Sequence, residues 1–290
     1  MPKTAEAPIH RNYRARDGLR LHYIDYPAPG DALPLVCIPG LTRPAEDFET
    51  LALALNAQGR RVLALDYRGR GDSEWDPDWS HYDMAVEQDD ILRALADAKV
   101  VEAAFFGTSR GGLHTMRLAK AYPPLVRAAV LNDIGPELHV PGLVRIKRYV
   151  GKLPPLVSMQ DAVGLTRMTA GSAFSGVTPE QWETYAKRSF QQGPDGVALR
   201  YDPELAHTLD AVAPDMVPED FWPDFLALAE KPLLTLRGEN SDILTTEILE
   251  RMEEAAPDME TLIVPGQGHA PLLMDALTID RVADFLAEAE

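Results

Sequence analysis

Short apolar runs alternate along this chain with longer stretches in which apolar residues recur every three or four positions. Pro34 to Ile38, Arg61 to Tyr67, Ala103 to Phe106, Val126 to Leu131, Pro232 to Leu236 and Thr261 to Val264 are runs of the first kind. A continuous apolar run suits a strand buried on both faces. Ala45 to Ala57, Tyr82 to Ala98, Leu113 to Ala121, Thr245 to Ala256 and Ile279 to Ala287 are of the second kind and read as helices. Strands that alternate with helices predict an α/β fold, a mostly parallel central sheet with helices on both faces. Ahead of this pattern, Tyr13 to Tyr26 reads as a β-hairpin turning at Asp17-Gly18, a dipeptide suited to a tight primed turn.

The alternation stops after Ile134, and about 95 residues pass before the next apolar run, far beyond an ordinary connection. This stretch is rich in aromatic residues and carries helix starts. Thr178-Pro179-Glu180-Gln181 offers an N-cap, a first-turn proline and a capping-box partner, and Pro218-Glu219-Asp220 opens a second helix. The expected organisation is a core of residues 1–135 and 230–290, interrupted by a helical cap over the strand ends at 136–229. The alternative is a helical appendage on the far side. No internal repeat or low-complexity tract is present in the sequence.

Composition narrows the functional classes. A net charge of −17 argues against non-specific nucleic-acid binding, which needs cations to displace counterions. The single cysteine, Cys37, excludes an internal disulfide and a thiolate metal cluster, and its apolar surroundings predict a buried structural thiol. Met1 to His10 has no apolar stretch of signal-peptide type, and no run approaches a membrane span, so a cytoplasmic protein without stable membrane insertion is expected. No His-Glu-x-x-His, Gly-x-Gly-x-x-Gly or phosphate-loop pattern occurs, so neither a metal nor a nucleotide cofactor is implied.

Chemistry gathers at the ends of the apolar runs, where ligands bind in open α/β sheets. Gly107-Thr108-Ser109-Arg110-Gly111 reads Gly-x-Ser-x-Gly between a strand and a helix. A serine at such a sharp turn holds its hydroxyl clear of the sheet, and small neighbours let the backbone pass closely. Serine is a weak nucleophile and needs a base, and the base needs a partner to fix its tautomer. Of seven histidines, only His269 follows a strand in a glycine-rich loop. Asp242 occupies the corresponding place after the preceding strand, and Asp133, also just past a strand, is its rival.

With Ser109, Asp242 and His269 in that order at strand ends, the chain resembles the α/β-hydrolase superfamily, in particular its lidded, carboxylesterase-like members, from about Tyr13 to Ala287. The resemblance implies that Ser109 is the nucleophile, His269 the base and then acid, and Asp242 the orienting carboxylate. It places the oxyanion hole at the backbone N–H groups of Leu41 and Arg110. Asp242 is favoured over Asp133 because it holds the family's usual acid position. The implied activity is a serine esterase (EC 3.1.1.-) acting on a small ester or related acyl compound. Lactone, carbon–carbon bond and perhydrolysis chemistry use the same triad, and a non-catalytic ligand receptor on this fold is the alternative of another class. Trp182, Tyr185 and Trp222 are expected to line the acyl pocket. Arg43 and Arg110 flank the oxyanion hole and could receive a substrate carboxylate, against the simpler reading of a salt bridge to Glu46 or Asp47. Asp66, Arg68, Asp72 and Ser73 are expected to brace loops, and His114 to be structural. The expected partner is a small molecule, with the oligomeric state left open.

Overall fold

Successive residues of a strand face opposite sides of a sheet, so a strand that is apolar throughout needs a core on each side. The computed structural model, which describes residues 7–289, shows this directly. In β3 (Leu35–Ile38), Val36 and Ile38 join one hydrophobic cluster while Leu35 and Cys37 join another. β5 (Ala103–Thr108) splits the same way, with Phe105 on one side and Phe106 on the other. Cys37 is fully buried, and burial pushes its thiol up.

The sheet has eight strands. β1 (Ile9–Arg14) pairs antiparallel with β2 (Arg20–Tyr26), which pairs antiparallel with β4 (Val62–Asp66). From β4 the sheet runs parallel through β3, β5, β6 (Val126–Asn132), β9 (Leu233–Gly238) and β10 (Glu260–Val264). α1 (Glu49–Ala57) and α9 (Ala276–Glu288) bury Leu51, Leu55, Val282 and Phe285 on one face. α2 (Met84–Asp97), α3 (Arg110–Ala121) and α8 (Thr246–Ala255) cover the other with Ile91, Leu95, Met116, Ile248 and Met252. The mostly parallel sheet with helices on both faces, expected from the alternation, is what forms.

Three local readings need correction. The first hairpin does not close on a two-residue primed turn. Arg14 pairs with Arg20, and the loop Ala15–Leu19 is held by an Ala15 N–H to Leu19 carbonyl bond and by the Asp17 carboxylate accepting the Leu19 N–H. Next, the segment between β6 and β9 is not purely helical. It holds α4 (Val140–Lys147), α5 (Met159–Ala170), α6 (Pro179–Ser189), then the hairpin β7 (Phe190–Gly193) and β8 (Gly196–Leu199), and finally α7 (Trp222–Leu228). α6 starts on the expected Thr178 capping box. Finally, Pro218-Glu219-Asp220 does not open a helix; α7 begins at Trp222 and buries Phe225 and Leu228 in the sheet core.

Part of this insertion forms its own cluster, in which Val150, Leu199, Tyr201 and Leu205 pack on Tyr82, with Leu41 against them. Leu41 stands just past β3, so the cluster abuts the strand ends. No helix among the described residues is long and apolar enough to cross a membrane. Residues 1–6, which carry most of the signal-peptide reading, lie outside the described residues.

Candidate active site

Ser109 sits between β5 and α3 with φ 51° and ψ −116°, a left-handed conformation that costs about 1–3 kcal/mol and must be held by its surroundings. The glycines around it allow the hold. A Cβ on Gly107 would stand 2.5 Å from the Gly111 carbonyl oxygen, and one on Gly111 only 2.0 Å from that of Ile38. Larger residues would push α3 away from the sheet and with it the serine. The Ser109 N–H donates to the Asn132 carbonyl, tying the turn to β6.

The Ser109 hydroxyl lies 2.9 Å from Nε2 of His269. The other ring nitrogen, Nδ1, lies 2.8 Å from Oδ2 of Asp133. Asp133 is fully buried, and the His269 side chain is 8% exposed. A carboxylate so placed accepts, so Nδ1 carries the proton and Nε2 is left to accept from the serine. Asp133 is fixed by two further donors, the Gly238 N–H at 2.8 Å and the Ser241 hydroxyl at 2.6 Å.

This corrects the choice of carboxylate. Asp242 does not reach His269. Its carboxylate is clasped by both Nε and a terminal nitrogen of Arg145, the latter at 2.7 Å, and its side chain is 42% exposed. Burial works to raise the Asp242 carboxyl, but Arg145 outweighs it and holds the group below the usual carboxylate range. The backbone differs at the two residues. Asp133 has φ 62°, which turns its side chain from the strand into the space beneath His269.

The cavity beside Ser109 and His269 is about 130 Å³ and is lined also by Leu41, Arg43, Tyr149 and Tyr185. Arg110 opens α3, so its N–H is one of those at a helix start without a helical acceptor. Its side chain turns away from the cavity to Glu87 and the Tyr82 carbonyl. Arg43 is committed to Asp47 through two nitrogens, at 2.5 and 2.7 Å, to the Ser189 hydroxyl through a third, and lies over the Tyr185 ring. Burial lowers the basicity of Arg43, but the Asp47 charge wins and raises it. The salt-bridge reading of Arg43 therefore describes it, with Asp47 as partner.

Of the aromatic residues expected in the pocket, Tyr185 lines it. Trp182 is buried beside Phe174 and Tyr185, one layer back. Trp222 packs against the sheet core and donates its indole N–H to Glu137, so it belongs to a different part of the molecule. The bracing residues brace. Buried Arg68 joins Asp17, Asp76 and Asp90, and Asp66 holds the N–H groups of Ala45 and Asp72 together with His22. Folding also brings His10, His22 and Asp72 together, and likewise Asp17, Asp76 and His81, groupings that no sequence spacing showed; in the second, both carboxylates already pair with Arg68.

The model of the alpha/beta hydrolase family matches residues 35–284. The chain is an α/β-hydrolase. This hydrolase is 34% identical over 277 residues to a 3-hydroxybutyrate-oligomer hydrolase of Cupriavidus necator, covering 93% of this chain and 94% of that one. It is 26% identical to a 2-(acetamidomethylene)succinate hydrolase of Mesorhizobium japonicum, covering 85% of each. Among solved structures, an alpha/beta hydrolase from Novosphingobium aromaticivorans superposes with a TM-score of 0.91 at 38% identity, covering 99% of this chain and all of that one.

Proposed function

We propose that this hydrolase cleaves short carboxylic esters through an acyl-enzyme on Ser109, and that its substrates are esters of small hydroxy acids of the 3-hydroxybutyrate type. The observation that carries the reading is the hydrogen-bonded chain from Ser109 through His269 to buried Asp133 at the wall of a small cavity. His269 takes the serine proton as the hydroxyl attacks the ester carbonyl. The N–H groups of Leu41 and Arg110 receive the oxyanion. The imidazolium, stabilised by Asp133, then protonates the leaving alcohol. In the second half, water gives a proton to His269 as its oxygen attacks the acyl carbonyl, and the imidazolium returns that proton to the Ser109 oxygen as the acid is released. The insertion at 136–229 acts as a cap that shapes the acyl site through Tyr149 and Tyr185.

Cavity size supports the substrate class. A space of about 130 Å³ is close to one that holds benzene, and so suits about six non-hydrogen atoms, the size of a 3-hydroxybutyryl group. The relative of Cupriavidus necator, similar over nearly its whole length, is named for oligomers of that acid. Arg43 contributes through its flat contact with Tyr185, as part of the pocket wall.

The test is hydrolysis of 3-hydroxybutyrate dimer and trimer and of p-nitrophenyl butyrate by the wild type and Ser109→Ala. Turnover of all three that drops on the order of 10⁶-fold in the variant is expected. Turnover of the p-nitrophenyl ester alone would remove the hydroxy-acid substrate class. Equal rates in wild type and variant would remove Ser109 as nucleophile.

A further inference from the structure

Glu87 lies on α2, where a glutamate ordinarily faces water, yet it is fully buried. It stands between two arginines. Arg110 donates its Nε–H to Glu87 Oε2 at 2.7 Å, and a terminal nitrogen of Arg70 lies 2.8 Å from Oε1. Burial opposes the Glu87 charge, but Arg110 and Arg70 together outweigh it and hold the carboxyl well below the usual range. His114 adds a ring nitrogen at 3.1 Å.

Each arginine leads to one side of the serine. Arg110 is the residue after Ser109, so its side-chain anchor fixes the first turn of α3. Arg70, also fully buried, donates its Nε–H to the Leu41 carbonyl at 2.7 Å and a second N–H to the Arg68 carbonyl at 2.6 Å. β3 and β5 pair as far as Ile38 and Gly107, and Gly111 packs on the Ile38 carbonyl; beyond these contacts the loops of Leu41 and Arg110 need side chains to join them. The chain that runs from the Leu41 carbonyl through Arg70 and Glu87 to Arg110, one hydrogen bond and two ion pairs, is such a link.

We propose that Arg70, Glu87 and the Arg110 side chain form a buried brace that sets the spacing between the two oxyanion-hole N–H groups, those of Leu41 and Arg110. These side chains touch no substrate; they are positioning residues. The inference rests on the proposed hydrolysis at Ser109 and extends it. Hole donors stabilise the transition state only where their spacing matches the developing oxyanion, while the ground-state ester is held by the cavity walls. Loosening the brace therefore lowers kcat and leaves KM nearly alone.

Charge balance indicates which variants to make. Removing Glu87 would leave two cations buried without their anion, so Glu87→Gln tests folding as much as spacing. Arg70→Met or Arg110→Met each leaves one buried ion pair intact. The experiment compares these two, Arg70→Lys, Ser109→Ala and Phe285→Leu, a core change on the opposite face of the sheet that sets the effect of lost stability alone. Three quantities are read: Tm, kcat and KM on p-nitrophenyl butyrate, and the rate at which an alkyl fluorophosphonate adds to Ser109, followed by intact mass.

Arg70→Met and Arg110→Met should lose about 10- to 100-fold in kcat, part of the 10²- to 10³-fold effect of deleting a hole donor. KM should stay within about twofold, and phosphonylation should slow in parallel with kcat. Arg70→Lys, which keeps a cation and a donor, should recover part of the loss. Phe285→Leu should keep its kcat at a similar loss of Tm. Unchanged kcat and labelling in both methionine variants, or losses that track Tm as in Phe285→Leu, would overturn the brace. A wild type that is not labelled at Ser109, or a Ser109→Ala variant that hydrolyses as fast, would overturn the serine reading and the brace with it. Labelled wild type with unaffected methionine variants removes the brace alone.

Discussion

Asp133 and Asp242 each follow a strand of the same sheet, and those strands, β6 and β9, are neighbours. Only Asp133 reaches His269. It is fully buried, its φ is left-handed, and Gly238 and Ser241 hold both of its oxygens. Asp242 is half exposed and clasped by Arg145 from α4. The β9 turn thus contributes to the site without supplying the carboxylate that meets His269: Ser241, the residue before Asp242, is the one that points inward, at the Asp133 carboxylate. Position after a strand brings a carboxylate to the right edge of the sheet. The donors waiting there decide which one the histidine meets.

The largest test of this difference is Asp133→Asn. An amide can offer its N–H₂ to His269 and favour the wrong ring tautomer, so kcat on p-nitrophenyl butyrate should fall by about 10⁴-fold. Asp242→Asn should stay within about threefold of wild type. The reverse order of effects would return Asp242 to the triad.

A double variant sharpens the contrast. If Asp242 has no part in orienting His269, Asp133→Asn with Asp242→Asn should be no slower than Asp133→Asn alone. A further tenfold loss in the double variant would mean that Asp242 serves His269 once Asp133 is gone, because two residues acting on one group couple in such a cycle.

The same comparison shows what could be read in the residues. The strands were legible because each must be apolar on both faces, and Phe105 and Phe106 show why neither could be polar. The meeting of Ser109 and His269 was legible because the glycines beside them answer a backbone need. Which carboxylate meets His269 was not, since an aspartate past a strand is the same pattern at 133 and at 242, and the choice lies in one φ angle and in Ser241. Glu87 was hidden for a related reason. Its helix has an ordinary amphipathic pattern, and its anions and cations meet only after β4, α2 and α3 pack. The β7–β8 hairpin escaped because Phe190-Gln191-Gln192-Gly193 lacks the apolar alternation of a strand.

A smaller effect separates the Asp133 anchor from its partner. Ser241→Ala removes the 2.6 Å donor to Asp133 Oδ2 while the Gly238 N–H and His269 remain. The change also takes away the acceptor of the Ile243 and Leu244 N–H groups, and the lost bond to the charged acceptor alone is worth about 1.5–3 kcal/mol in stability. Tm should fall by several degrees, and kcat by no more than about tenfold, because the carboxylate stays beneath the ring. A loss as deep as that of Asp133→Asn would mean that the serine, rather than the burial of Asp133, keeps the histidine in place.

The smallest effect belongs to Asp242 and is read in stability rather than rate. Arg145 holds its carboxyl below the usual range despite partial burial. A depressed carboxyl contributes stability that is complete above the unfolded value of about 3.9 and is lost as pH falls through the folded value. Asn at 242 lacks that contribution at every pH. The Tm gap between wild type and Asp242→Asn should therefore be widest near neutral pH and shrink as pH falls below about 4. With the pair more than 40% exposed on both sides, solvent screens it, and the gap should be about 2 °C or less and close further in 1 M salt. The Arg145→Met variant should show most of this small loss with the same acid dependence, since Arg145 does most to depress Asp242, with a smaller share from His269. A gap that grows as pH falls would mean the Arg145–Asp242 pair is not what these residues contribute, and would reopen the β9 turn as the place where His269 finds its acid.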